Sequence, residues 1–296
     1  MIAADELSRG KRVFPKMLLT TIKVVLIAAI CGAQRKIGNI GDTLRNARNV
    51  DFDSLSGYQA VENAGEFPYS ISLEENGEHL CGGALIKENA VLTAAHCVDG
   101  AYPDLLKIRA GIISQNENSN NVQTQDVEFY RKHEYYNPTT VENDIAIIKT
   151  VGLFKLNKFV NIIKLPGGGD TFYNKEAIFI GWRKTETAQL ATTLTKTSLT
   201  IIDKDSCERA FGYALRLYYS MLCGHDLSKR SEGLCAGSSG GPITIHNPTT
   251  PASDVLTGLN SWVIKPGKFC QPQYPSVFTS VARMKSWIDI KLKTVF

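Results

Sequence analysis

Residues 235–242 read Cys-Ala-Gly-Ser-Ser-Gly-Gly-Pro, CAGSSGGP. Only small residues stand between the cysteine and the proline, so backbone N–H groups here can approach a bound molecule closely. Ser239 is the candidate nucleophile of the stretch. A serine hydroxyl needs a neighbouring base, and the base needs a third group to orient it. Two other segments supply those residue types. "LTAAHC" (92–97) places His96 at the end of an apolar, strand-like run and beside Cys97. "ENDIAIIK" (142–149) places Asp144 immediately before another such run. Taken singly, each has a plainer reading: a packed histidine, a turn aspartate, a small-residue loop.

Around these segments the chain reads as strands and turns. Short apolar or alternating runs fall at 69–73, 83–86, 90–95, 105–113, 144–150, 176–182, 194–202, 241–245 and 255–262, divided by Gly, Asn and Pro clusters. Residues 114–126, SQNENSNNVQTQD, read as a solvated polar loop rather than a metal site. Only 280–296 carries a helical period, with Val281, Met284, Trp287, Ile288 and Leu292 on one face. The pattern predicts an all-β protein of two barrel- or sandwich-like units with a C-terminal helix, joined near the Gly-rich stretch 165–170.

The N-terminus adds a compartment. Lys11, Arg12 and Lys16 precede an apolar run that ends in small residues at Ala33. That is the layout of a cleaved secretory signal over 1–33, with Met17 as an alternative start, followed by a short linker-like segment over 34–53. The unbroken apolar core, 24–30, is far shorter than the roughly 20 residues a spanning helix needs. One of the seven cysteines, Cys31, lies in the signal. The other six, an even number in an oxidising compartment, predict three disulfides whose pairing the count leaves open. A formal charge of +4, spread along the chain, argues against nucleic acid as a partner.

Together, and in the order His, Asp, Ser, these features resemble the chymotrypsin-like (trypsin-fold) secreted serine proteases. The resemblance runs from about residue 54 to the C-terminal helix, through GEFPYSISL, HLCGGALI, VLTAAHC, NDIAIIK, GGP, SW and PSVFTSVARMKSWI. It implies two antiparallel six-stranded β-barrels with the active site in the cleft between them. The peptidase domain would span 54–296: one barrel over about 54–165, the other over about 166–282, and the helix over about 283–293. The implied catalytic residues are His96, Asp144 and Ser239. The backbone N–H groups of Gly237 and Ser239 would form the oxyanion hole, and Ser261 would support Asp144. The implied disulfides are Cys81–Cys97, Cys207–Cys223 and Cys235–Cys270. A further bridge of the family is lost as a pair, its two positions being Ala177 and Ile245. No cofactor or metal is implied. Expected partners are protein or peptide substrates and protease inhibitors, with no membrane after signal cleavage, for a secreted monomer.

The resemblance breaks at one place. In the family a cut after a basic residue exposes an Ile-Val-Gly-Gly-like terminus, whose ammonium pairs with an Asp just before the catalytic serine. Here the corresponding stretch, 53–60, reads DSLSGYQA, and the Asp position is Ser238. Losing both partners leaves no uncompensated buried charge, whereas losing one would cost several kcal/mol. A cut at 36–37 would expose an Ile-Gly-Asn terminus with no Asp to meet it. Two outcomes are open. Ser238 holds the loop through hydrogen bonds and the enzyme is constitutively active, or the chain is a weak or inactive homologue acting as a binding or regulatory protein. For specificity, Gly233 takes the pocket base, with Val263 and Ser276 at the walls. That set favours small or medium apolar side chains, as in elastase-like members. A one-residue shift bringing Glu232 to the base would instead favour basic ones.

Overall fold

The computed structural model describes residues 57–183, 192–227, 238–263 and 274–294. After a short strand β1 (Gln59–Ala60), the chain forms β2 (Ser70–Glu75), β3 (Glu78–Lys87), β4 (Ala90–Thr93), β5 (Leu106–Ala110), β6 (Gln123–Lys132) and β7 (Ala146–Thr150). These six close in the order β2-β3-β4-β7-β6-β5, all neighbours antiparallel. A second set follows: β8 (Glu176–Gly181), β9 (Thr195–Ile202), β10 (Met221–His225), β11 (Pro242–Ile245), β12 (Val255–Trp262) and β13 (Ser276–Ser280). Pairing of β8 with both β9 and β11 closes this set into the second six-stranded barrel. Helix α1 (Lys204–Ala210) sits between β9 and β10, and α2 (Val281–Thr294) follows β13. The two expected barrels and the C-terminal helix are therefore present.

The burial pattern explains why some strands read as unbroken apolar runs. In β4, Val91 faces the interior of the first barrel with Ile71, Leu73 and Ile148. Its neighbour Leu92 faces the other way, into a layer shared with Ile180, Leu256 and Leu259 of the second barrel and Met284 and Ile288 of α2. Alternation survives, but both faces are dry. Each such side chain contributes about 1.5–3 kcal/mol by burial, and the shared layer fixes the line along which the barrels meet. The interior of the second barrel is built from Phe179, Leu199, Ile201, Leu222, Ile243 and Phe278.

Three placements differ from the sequence reading. Strand β1, the first described element, pairs with β9 of the second barrel rather than with the first. The polar segment 114–126 is not all loop, since β6 begins at Gln123. Most of β6 is only partly covered, so its composition resembles a loop while Val127 turns inward to the core. Helix α1 also escaped the reading because it is short. It starts where Asp203 caps it, Oδ1 accepting the Ser206 N–H at 2.8 Å.

Disulfides join Cys81 to Cys97 and Cys207 to Cys223. Cys235 and Cys270 lie outside the described residues. The register Ile243–Phe179 and Thr244–Ile178 continues to place Ile245 opposite Ala177. Both pack in the second-barrel core.

Candidate active site

The site starts from the end of β4. Ala94 and Ala95 are fully buried, and a single 3-10 turn (Ala95–Cys97) then brings His96 to the surface. The Cys81–Cys97 disulfide ties this turn back to β3. The His96 side chain keeps 32% exposure, whereas Asp144 is wholly buried. Oδ1 of Asp144 accepts the backbone N–H of His96 at 2.9 Å, and Oδ2 faces His96 Nδ1 at 2.8 Å. Ser261 Oγ donates to the same Oδ2 at 2.6 Å. An acceptor already receiving the Ser261 proton leaves Nδ1 as the donor of the pair. Nδ1 therefore carries a proton, which in the neutral tautomer leaves Nε2 as the acceptor.

Asp144 belongs to the first barrel, but its supports come from the second. Besides Ser261 on β12, Thr279 Oγ1 on β13 donates to the Asp144 carbonyl at 2.7 Å. Ser220 Oγ accepts the N–H of Asn143 at 3.0 Å. The backbone reaches Asp144 through left-handed turns at Val141 and Asn143, both at φ 56°. Nearby, burial and then the Asp144 charge push the Tyr136 hydroxyl up to about 12, so it stays protonated.

Ser239 sits on a tight turn pressed against the first barrel. Gly241 N–H returns to the Ser238 carbonyl at 3.1 Å, and Gly240 N–H donates to the Asn260 carbonyl at 2.8 Å. The Ser239 carbonyl accepts the Gly82 N–H at 2.8 Å. Gly82 follows Cys81, and Cys81 is bonded to the neighbour of His96, so one hydrogen bond and one disulfide link the two segments. Gly240 has φ +72°, and a Cβ there would lie 2.3 Å from Thr93 Oγ1 and 2.5 Å from the Gly82 carbonyl. Only glycine fits.

Of the remaining expected residues, Ser238 is buried, Ser276 is buried at the start of β13, and Val263 is half-buried against the second-barrel core. Gly233 and Gly237 lie outside the described residues. Cys81, His96 and Cys97 place ligand-type atoms within 4.8 Å of one another. Both sulfurs are consumed by the disulfide, so the group does not read as a metal centre.

Two features had not been singled out. Asn260, on β12 and 4% exposed, directs Nδ2 to the Ser238 carbonyl at 3.1 Å and to Ser238 Oγ at 3.2 Å. Its signal in the sequence was an amide side chain within the run VLTGLNSW, overshadowed by the adjoining "SW". The other is a second His–Asp pair. His246 Nδ1 meets Asp254 Oδ2 at 2.7 Å, Tyr69 donates to the same oxygen at 2.6 Å, and Asn247 N–H takes Oδ1. Burial, then Asp254, holds the Tyr69 hydroxyl well above its ordinary range. With a side chain only 9% exposed, His246 ties the start of the first barrel to the second and offers no open face to a substrate.

The chain matches the family model described as Trypsin over residues 56–288. It is 33% identical over 263 residues to "Trypsin Blo t 3" of Blomia tropicalis, covering 86% of this chain and 93% of that protein. It is 32% identical over 235 residues to "Fibrinolytic enzyme, isozyme C" of Lumbricus rubellus, covering 76% and 94%. To "Trypsin delta" of Drosophila melanogaster it is 29% identical over 269 residues, covering 90% and 97%.

Proposed function

The chain belongs to the trypsin family of serine-type endopeptidases, whose substrates are peptides or proteins, and on that premise we propose that His96, Asp144 and Ser239 form its working triad. The observation that carries the reading is Asp144, buried and bonded to both the backbone and the ring of His96, in a barrel to which the Ser239 carbonyl is tied through the Gly82 N–H. In this mechanism Ser239 Oγ attacks the scissile carbonyl while His96 Nε2 takes its proton. Asp144 keeps Nδ1 protonated and stabilises the imidazolium that forms. The carbonyl oxygen, now an oxyanion, receives the N–H groups of Gly237 and Ser239, each worth about 2.7–4 kcal/mol in the transition state. His96 then returns the proton to the leaving amine, leaving an acyl-enzyme on Ser239. Water, deprotonated by the same nitrogen, releases the acid product and restores the serine.

The pocket reading extends this. With Gly233 at the base there is no carboxylate to hold a Lys or Arg side chain, although several relatives carry the name trypsin. Val263 and Ser276 narrow the walls, so small or medium apolar side chains fit best before the cleaved bond. Secretion as a monomer fits the signal-like N-terminus, the disulfides and the family. Among the described residues no helix is long and apolar enough to cross a membrane.

The test is hydrolysis of peptides ending in Ala, Val or Phe by the purified chain and by Ser239→Ala. Cleavage abolished by the substitution is the expected result. A folded chain that cleaves nothing would favour the binding or regulatory reading.

A further inference from the structure

Asn260 gives four hydrogen bonds to the segment that carries Ser239. Its backbone carbonyl takes the Gly240 N–H at 2.8 Å, and its N–H goes to the Gly241 carbonyl at 2.9 Å. Its side-chain Nδ2 reaches the Ser238 carbonyl and Ser238 Oγ. The first two are ordinary strand-edge bonds that any residue makes through its backbone. The last two require this side chain. A carbonyl oxygen only accepts, so the amide end facing it must be the NH₂, which fixes the orientation of the group. The outer oxygen, Oδ1, is buried with no hydrogen-bond partner among the described residues. An apolar side chain would avoid that orphaned acceptor, so packing alone does not account for an asparagine here.

The carbonyl that Asn260 holds, jointly with the Gly241 N–H at 3.1 Å, belongs to the peptide unit joining Ser238 to Ser239. That unit is planar and trans, so its C=O and its N–H point in opposite directions. Pinning the Ser238 oxygen toward β12 therefore aims the Ser239 N–H away from that strand. We propose that Asn260 is a positioning residue for the reaction: by gripping the Ser238 carbonyl it orients the Ser239 N–H as an oxyanion donor. The grip is neutral and present in the uncut chain. It occupies the place where the sequence lacks both an Asp at 238 and an Ile-Val-Gly-Gly-like terminus. Relatives that use an ion pair there depend on a new N-terminus, whereas the Asn260 contact needs no charge and no cut.

The inference rests on the endopeptidase reading of Ser239, and the experiment separates the two. Asn260→Leu removes the donor at similar volume. Asn260→Asp keeps the shape and sets an acceptor against the Ser238 carbonyl. Both are compared with the full wild-type chain in peptide hydrolysis, in affinity for a peptide boronate that mimics the tetrahedral intermediate, and in affinity for a non-covalent product peptide. Loss of one oxyanion donor lowers kcat by about 10²–10³-fold. The expected result is a fall in kcat and boronate affinity of roughly 10-fold up to that limit, with KM and product-peptide affinity within about threefold and the melting profile cooperative. An active wild type with either folded variant keeping wild-type kcat and boronate affinity would overturn the role of Asn260 alone. So would equal losses for boronate and product peptide, which mark general disorder of the site. A wild-type chain that neither cleaves peptides nor binds the boronate overturns the endopeptidase reading itself.

Discussion

Asp144 holds His96 at two points, Oδ1 on its backbone N–H at 2.9 Å and Oδ2 on Nδ1 at 2.8 Å. The double contact fixes the ring's tilt as well as its tautomer. Asp144→Asn keeps the shape, but with the amide oxygen retained on the His96 N–H it puts an NH₂ opposite Nδ1, favouring the wrong tautomer. The expected kcat falls by roughly 10⁴-fold with KM little changed. Ser261→Ala removes one bond to Oδ2, and at about 1.5–3 kcal/mol for a bond to a carboxylate the loss is about 10- to 100-fold. Steady-state kinetics on both variants checks the order, and equal effects would contradict it.

Gly240→Ala tests the fit of the nucleophile turn. The added methyl meets Thr93 Oγ1 and the Gly82 carbonyl well inside contact distance, at a left-handed backbone position. The strain and overpacking together come to about 2–5 kcal/mol. Because Gly82 also holds the Ser239 carbonyl, kcat should fall along with the unfolding midpoint. Thermal melts and kinetics read both, and an unchanged midpoint would refute the packing described.

Val263→Gly tests the pocket walls. Removing the isopropyl group should widen the entrance and move preference from Ala or Val toward Phe or Tyr, read as the ratio of kcat/KM values. One methylene in an apolar pocket is worth about 1–3 kcal/mol, a 10- to 200-fold change. No change in the ratio would place the wall elsewhere.

Acid should loosen α2. Burial works to raise the Glu134 carboxyl, but its bonds to Lys291 and to Trp287 Nε1 outweigh that and lower it to about 2 from an ordinary 4.5. A depressed carboxylate stabilises the fold above its unfolded value and stops doing so as pH falls from about 4.5 toward 2. The adjacent His133, lowered by burial and tilted against Trp287 with ring centroids 5.1 Å apart, acts in the same sense, its neutral form being favoured. Glu134 is half exposed, so screening limits its share to about 1 kcal/mol or less. On going from pH 6 to pH 2.5, the wild type should lose about 2–4 °C more in melting midpoint than Glu134→Gln. Parallel losses would contradict the assignment.

What the sequence made legible follows physical rules of differing reach. β4 and β7 stood out because both faces are buried, which turns them into apolar runs. His96, Asp144 and Ser261 stood out because their neighbours are so distinctive. β6 did not, because only Val127 of its ten residues is buried. Asn260 did not, because its meaning depends on which carbonyl it faces, and no local pattern reports that. The pairing of His246 with Asp254 was hidden by the intervening 247–253 turn and by Tyr69, remote in sequence yet 2.6 Å from the same carboxylate. Propensity and pattern read local order, while partners across barrels emerge only from closure of the fold.

The central claim is that the uncut chain already holds a reactive Ser239. Incubating the purified chain, without any protease, with a fluorophosphonate and mapping the adduct by mass spectrometry measures this directly. The expected result is stoichiometric labelling at Ser239, lost in His96→Ala. Absence of label on a folded chain, or label that appears only after proteolytic cutting, would contradict it.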